Sequence, residues 1–158
     1  MQTMHFLTRW AAVTGFTLIT LLHTAAAQAE MVAVNGEDIN MRSGPGAKNE
    51  ALFKIGDGFP LEIVKTSGEW LQVKDFEGSV GWVLKKNVNN KPHMVVKANK
   101  GNDETINIRT EPNPKSKVVA QAKYGVVFKT AGKKGGWVNV EHEKGVKGWI
   151  ESSLLWGF

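Results

Sequence analysis

The sequence predicts an all-β fold of two tandem small barrels, on three observations. The first is an internal repeat. "INMRSGPG" at 39–46 returns as "INIRTEPN" at 106–113, 67 residues on, and "GEWLQV" (68–73) and "GWV" (81–83) return at the same offset as "GGWVNV" (135–140) and "GWI" (148–150). The copies align without a gap from Ile39 to Val83. An internal repeat decides the architecture first, and two copies of about 60 residues give two small domains, since a stacked solenoid needs three or more units. The second observation is many short apolar runs separated by turn formers. The third is that no long stretch beyond the N-terminus carries a 3.6-residue apolar period, as a helix would require.

Residues 1–29 differ in kind from the rest. "MQTMHFLTR" has one Arg and no acid, "WAAVTGFTLITLL" is apolar, and "HTAAAQAE" ends in an Ala-x-Ala pattern before Glu30. A charged start, a short apolar core and small residues at the end describe a secretory signal peptide. The alternative is a retained membrane anchor, but an apolar core of about 13 residues falls short of the ~20 that a spanning helix needs. Removal of 1–29 is therefore expected, with a periplasmic or extracellular destination and no membrane span in the mature chain.

The mature chain then begins at Glu30. In 30–88, "MVAV", "DINMRS", "ALFKI", "FPLEIV", "EWLQVK" and "SVGWVL" read as strands, with "NGE", "GPGAKN", "GDG", "KTSG" and "DFEG" as turns. Residues 89–93, polar and carrying a Pro, read as a linker. In 94–158, "MVVKA", "TINIRT", "KVVAQA", "VVFKTA", "GWVNVE" and "VKGWI" repeat the strand pattern. Many short strands with Gly punctuation in so small a unit fit a barrel. The second copy carries extra residues, "KGNDE", before its Ile-Asn motif, an insertion of the kind surface loops tolerate.

The combined motif resembles the bacterial SH3 (SH3b) domain family. It consists of hydrophobic-Asn-hydrophobic-Arg-Ser/Thr-Gly-Pro, a Gly turn, a "GW" strand and a closing "GWV". The second copy departs from it at Glu111 and Asn113. The resemblance implies a five-stranded SH3-like barrel in each half. It also implies a non-catalytic exported module of the kind associated with cell-wall binding or wall-processing enzymes. Family members often flank a Cys-His peptidase domain, of which this sequence shows neither the Cys nor the remainder.

Strand alternation sorts candidate binding residues. Leu71 and Val73 share one face of their strand, and Trp70, Gln72 and Lys74 the other. In the second copy Val138 and Val140 oppose Trp137, Asn139 and Glu141. A polar partner on the same face implies solvent, so Trp70 and Trp137 are expected to be partly exposed. Each is then either an aromatic platform for peptide or sugar, or a lid over a barrel too small to bury every Trp. Trp82 and Trp149 read as core or partial core. Arg42 and Arg109 are either carboxylate-gripping guanidinium groups or ties that hold a long loop to its own carbonyls, the second being preferred. A binding groove is expected between the long loop after "INMRS" and the loop before Trp70.

Chemistry is bounded by absences. With no Cys there is no disulfide and no thiol nucleophile. The mature chain's two histidines, His93 and His142, fall in no metal-ligand spacing. No nucleophile elbow or phosphate loop is present, and the acids are scattered. No metal, no cofactor and no catalysis are expected. A mature balance of 19 basic against 15 acidic residues, without a basic stripe, gives no reason to expect nucleic acid as a partner. The expected work is binding a cell-wall peptide or an envelope protein. The alternative is an assembly module without a small ligand, for which the C-terminal "LLWGF" is the motivating feature, though it equally suits closure of the second barrel.

Overall fold

The computed structural model describes residues 29–158. The expected signal peptide lies outside the described residues, apart from Ala29. The first unit runs through β1 (Met31–Val34), β2 (Ile39–Arg42), β3 (Ala51–Ile55), β4 (Pro60–Ser67), β5 (Trp70–Lys74), β6 (Val80–Leu84) and the two-residue β7 (Val88–Asn89). The second runs through β8 (His93–Val96), β9 (Ile106–Arg109), β10 (Val118–Ala122), β11 (Val127–Lys134), β12 (Trp137–Glu141), β13 (Lys147–Glu151) and β14 (Leu155–Gly157). A single 3₁₀ turn, at Lys85–Asn87 and again at Ser152–Leu154, precedes the last strand of each.

The two sheets have one topology. Their strand orders are β3-β2-β6-β5-β4-β1-β7 and β10-β9-β13-β12-β11-β8-β14, with every pairing antiparallel. The tandem all-β fold is as expected. Each sheet counts seven strand segments: the six read from the sequence in each copy and a short last one, β7 or β14, at one margin, against the five that the resemblance implies. The β11–β12 hairpin closes through Gly135 and Gly136, at φ 54° and 82°. Both central residues of a type I′ turn need positive φ, which costs glycine nothing.

Alternation builds the cores. Val32, Val34, Met41, Ile55, Leu61, Leu71, Val73 and Val83 form the first cluster. Phe128, Val138, Val140, Ile150 and Leu155 anchor the second. Leu155 is buried in β14 against β8, so "LLWGF" closes the second barrel. Burying each such side chain is worth about 1.5–3 kcal/mol.

The barrels also pack on each other. Only residues 90–92 separate β7 from β8. Phe76 packs at a tilt against Phe59 within the first barrel (centroids 5.9 Å apart) and against Tyr124 of the second at 5.2 Å. The Tyr124 hydroxyl donates to the Glu77 carboxylate, and Lys100 Nζ lies 3.3 Å from the same carboxylate. His93 lies so close to Gly58 that a Cβ there would be 2.7 Å from the ring.

This latch titrates. Burial first, then the hydrogen bond to Glu77, pushes the Tyr124 phenol up to about 12 from 10, and the same bond, with Lys100, holds the Glu77 carboxyl below its usual range. A raised folded value means the phenol's contribution is complete below pH 10 and is lost as pH climbs toward 12. For Glu77 the sign reverses, and its contribution fades as pH falls below the usual carboxylate range. The chain holds one Tyr, so a phenolate absorbance titration reads this contact alone. The expected midpoint is about 12 in the native protein and lower in Glu77→Gln. An unshifted midpoint near 10 in the folded protein rules the latch out.

Candidate ligand-binding grooves

Each Arg of the repeated motif is held by its own loop. Arg42 Nη1 donates to the Asn49 carbonyl at 2.7 Å, and Arg109 Nη1 donates to the Ser116 carbonyl at 2.7 Å. The loop-tying reading is therefore the one the geometry displays. The guanidinium carries five N–H donors, so this bond leaves others for a ligand.

Across the sheet, Arg42 pairs with Trp82 and Trp82 with Gln72. Arg109, Trp149 and Asn139 repeat the ladder. The four residues singled out from the sequence line openings beside this ladder, one in each barrel. One groove of about 290 Å³ is walled by Ile39, Asn40, Arg42 and Trp70 with Asp38, Leu84, Lys86 and Asn87. Another of about 210 Å³ is walled by Ile106, Asn107, Arg109 and Trp137 with Thr105, Glu151 and Leu154. Trp70 thus meets Arg42, and Trp137 meets Arg109, at equivalent positions of the repeat. The position of the groove differs from expectation. It crosses the ends of β2, β5 and β6 and the 3₁₀ turn, and neither the 43–50 loop nor the turn before Trp70 lines it.

The two copies share Ile, Asn, Arg and Trp and diverge around them. Leu84 beside Trp70 is replaced by Glu151 beside Trp137, and Lys86 has no lining counterpart in the second groove. The first groove therefore carries two cations and one carboxylate, the second one of each.

Exposure corrects one expectation. Trp70 is half-buried, but Trp137 retains only 9% of its surface. Alternation placed Trp137 on the correct face of β12, opposite Val138 and Val140. The 3₁₀ turn after β13 lies beside the strand's first residue and lines the same groove through Leu154. Ser152 donates from its N–H to the Gly136 carbonyl at 2.9 Å, as Lys85 does to the Glu69 carbonyl in the first barrel, and adds a second bond from its Oγ at 2.9 Å. Leu154 replaces Asn87 on the groove wall. The aromatic more open to water in the second copy is Trp149, which is half-buried, whereas its counterpart Trp82 is 7% exposed beneath Lys65 Nζ, 5.5 Å from the ring centroid. Gly132 occupies the place of Lys65 and leaves that cover off.

A larger cleft of about 510 Å³ lies between the barrels, and it brings together Glu37, Asp57, His93, Glu141 and His142. The sequence shows Asp57 only as one of several scattered acids and His93 and His142 only as outside any metal-ligand spacing, because their convergence depends on how the barrels dock. Among the described residues no three of them are placed to hold a metal ion.

The bacterial SH3 domain pattern matches this chain twice, at residues 35–90 and 102–157. A protein of Bacillus subtilis named N-acetylmuramoyl-L-alanine amidase YrvJ is 26% identical over 143 residues, a stretch that is 86% of this chain and 27% of that protein. Among solved structures, a NlpC/P60 family protein from Bacillus cereus is similar over 80% of this chain and 56% of its own, at TM-score 0.37 and 13% identity. NlpC1 from Trichomonas vaginalis is similar over 84% and 47%, at TM-score 0.33 and 12% identity. With both halves of the described chain matched by one pattern, the chain belongs to the bacterial SH3 domain family.

Proposed function

We propose that the protein is an exported, non-catalytic binding module of the cell envelope, working in the periplasm or outside the cell. Its ligand is a peptidoglycan stem peptide or an envelope protein. The observation that carries this reading is the same Ile-Asn-Arg-Trp set lining a groove in both barrels. An indole edge beside a guanidinium suits a short peptide that ends in a carboxylate. The relative named as an amidase, of which this chain spans 27%, supports a wall ligand. Two grooves on one chain raise weak single-site affinity through effective concentration.

The test is co-sedimentation with purified peptidoglycan. The unmutated protein is expected to sediment, and Trp70→Ala to weaken binding by an amount worth about 1–3 kcal/mol while the protein stays folded at the assay temperature. A folded Trp70→Ala protein that sediments as before removes this groove. A wild type that stays in solution removes the wall ligand altogether.

One observation favours the second reading, an assembly module. The edge strands β3 and β10 expose Leu52, Phe53, Val118 and Val119. An unpaired strand edge bearing apolar side chains is a template for a partner strand. Failure to sediment, together with capture of a defined envelope protein, would decide for it.

A further inference from the structure

Beneath the β10 edge of the second barrel lies an opening that shares no residue with the grooves. It is a cavity of about 390 Å³, with Ile108, Ala120, Ala122 and Phe128 at its floor and Val126 and Val146 at its sides. Comparison of the copies explains it. In the first barrel the positions of Ala120, Ala122 and Val126 are held by Phe53, Ile55 and Phe59. Strand register confirms the match, since Phe53 faces Met41 across β2–β3 as Ala120 faces Ile108 across β9–β10. One alanine thus stands in place of the buried Ile55, and the other in place of Phe53, which is 44% exposed on the β3 edge. Phe128, in place of Leu61, returns part of that volume, and the edge of the His142 ring packs against it, 5.5 Å between centroids.

The rim changes with the floor. His142 and Lys144 occupy the positions of Asp75 and Glu77, and Lys123 that of Gly56. No carboxylate lines the opening. Lys123 is paired to Asp103 at 2.9 Å, while Lys144 has no ion pair among the described residues. The acidic rim of one copy has become basic in the other, around a floor stripped of bulk. Apolar walls contribute affinity through buried area, and a rim cation selects the sign of the head group.

We infer that this opening is a binding site for a single alkyl chain bearing an anionic head, of the kind a medium-chain fatty acid presents. Its volume suits one chain end rather than a two-chain lipid. The site belongs to the second barrel alone, and it is independent of the wall-binding reading.

The experiment is a titration of the full chain with dodecanoate below its micellar concentration, followed by methyl NMR. Shifts confined to Ile108, Val126 and Val146 are expected, which separates this site from any association with the apolar N-terminal segment. Two variants restore first-barrel residues that pack on the core there, Ala122→Ile and Val126→Phe. Both keep an apolar side chain of a kind the same fold already holds at that place. Either one is expected to weaken dodecanoate about tenfold or more, the scale on which a filled apolar pocket excludes a chain. Lys144→Glu is expected to weaken dodecanoate and to leave dodecyltrimethylammonium unaffected or bound more tightly. Equal shifts with the cationic amphiphile in the unmutated protein overturn the inference. So do unchanged shifts in both filled variants when their melting temperatures match the wild type, or no shift at all at these methyls.

Discussion

Gly148→Ala is expected to destabilise the second barrel by about 3 kcal/mol or more, at or beyond the top of the usual range for overpacking. A Cβ at Gly148 would lie 2.7 Å from the Arg109 carbonyl oxygen and 2.7 Å from Ile108 Cγ2. The first neighbour is backbone, and the second belongs to a β-branched side chain with a stiff χ1. Neither can yield without moving β9, the strand that carries the groove's Asn and Arg. Gly81 holds the same place in the first barrel, but there the nearest atoms are Met41 Cγ at 2.6 Å and Cε at 2.7 Å, with the Arg42 carbonyl at 3.0 Å. A flexible thioether re-packs more easily, so Gly81→Ala is expected to be the milder change. Chemical denaturation of both variants measures the difference. A Gly148→Ala protein as stable as the wild type would show that β13 does not press on β9 as described. The motif's "GW" thus contains a glycine required for strand packing beside an indole on the opposite face.

Trp137→Ala is expected to cost about 3–5 kcal/mol, the range for removing a large buried aromatic, because Trp137 keeps only 9% of its surface. Trp70→Ala, at a half-buried ring, should cost clearly less. The comparison decides which aromatic reports on ligand and which on folding. If the two changes destabilise equally, Trp137 is no more buried in solution than Trp70. Loss of ligand binding by Trp137→Ala should accordingly be read only at a temperature where the second barrel remains folded.

The strands, the duplication and the faces of β5 and β12 were legible in the sequence because all of them are local. Leu71, Val73, Val138 and Val140 alternate with polar residues, and a two-residue period points to one face whatever lies beyond it. Burial of Trp137 was not legible, since neighbours such as Leu154 come from a turn 15–17 residues further on. Arg42 and Arg109 were correctly read as loop ties, because each bonds to a carbonyl only seven residues away. What escaped entirely was the docking of the barrels. Phe76 and Glu77 sit in "DFEG", which reads as an ordinary turn, and Tyr124 precedes a turn glycine. No pattern within either copy shows that these three residues meet. The apolar opening under β10 was hidden differently. Two alanines in a strand are unremarked until the other copy shows a Phe and an Ile in their places.

The three-residue connection between β7 and β8, with the Phe76–Tyr124 packing and the contact of His93 with Gly58, holds the two grooves at one separation in this structure. Two modules on a floppy tether sample many separations and engage almost any pair of epitopes, each at a modest effective concentration. Two modules at a set distance behave as a ruler. On the proposed wall-binding reading, a polymer whose repeat matches that separation would be gripped at both ends at once, and one out of step at a single end. Discrimination between two chemically identical polymers would then reside in their spacing, and a lengthened connection would widen the range of partners while blunting the preference among them.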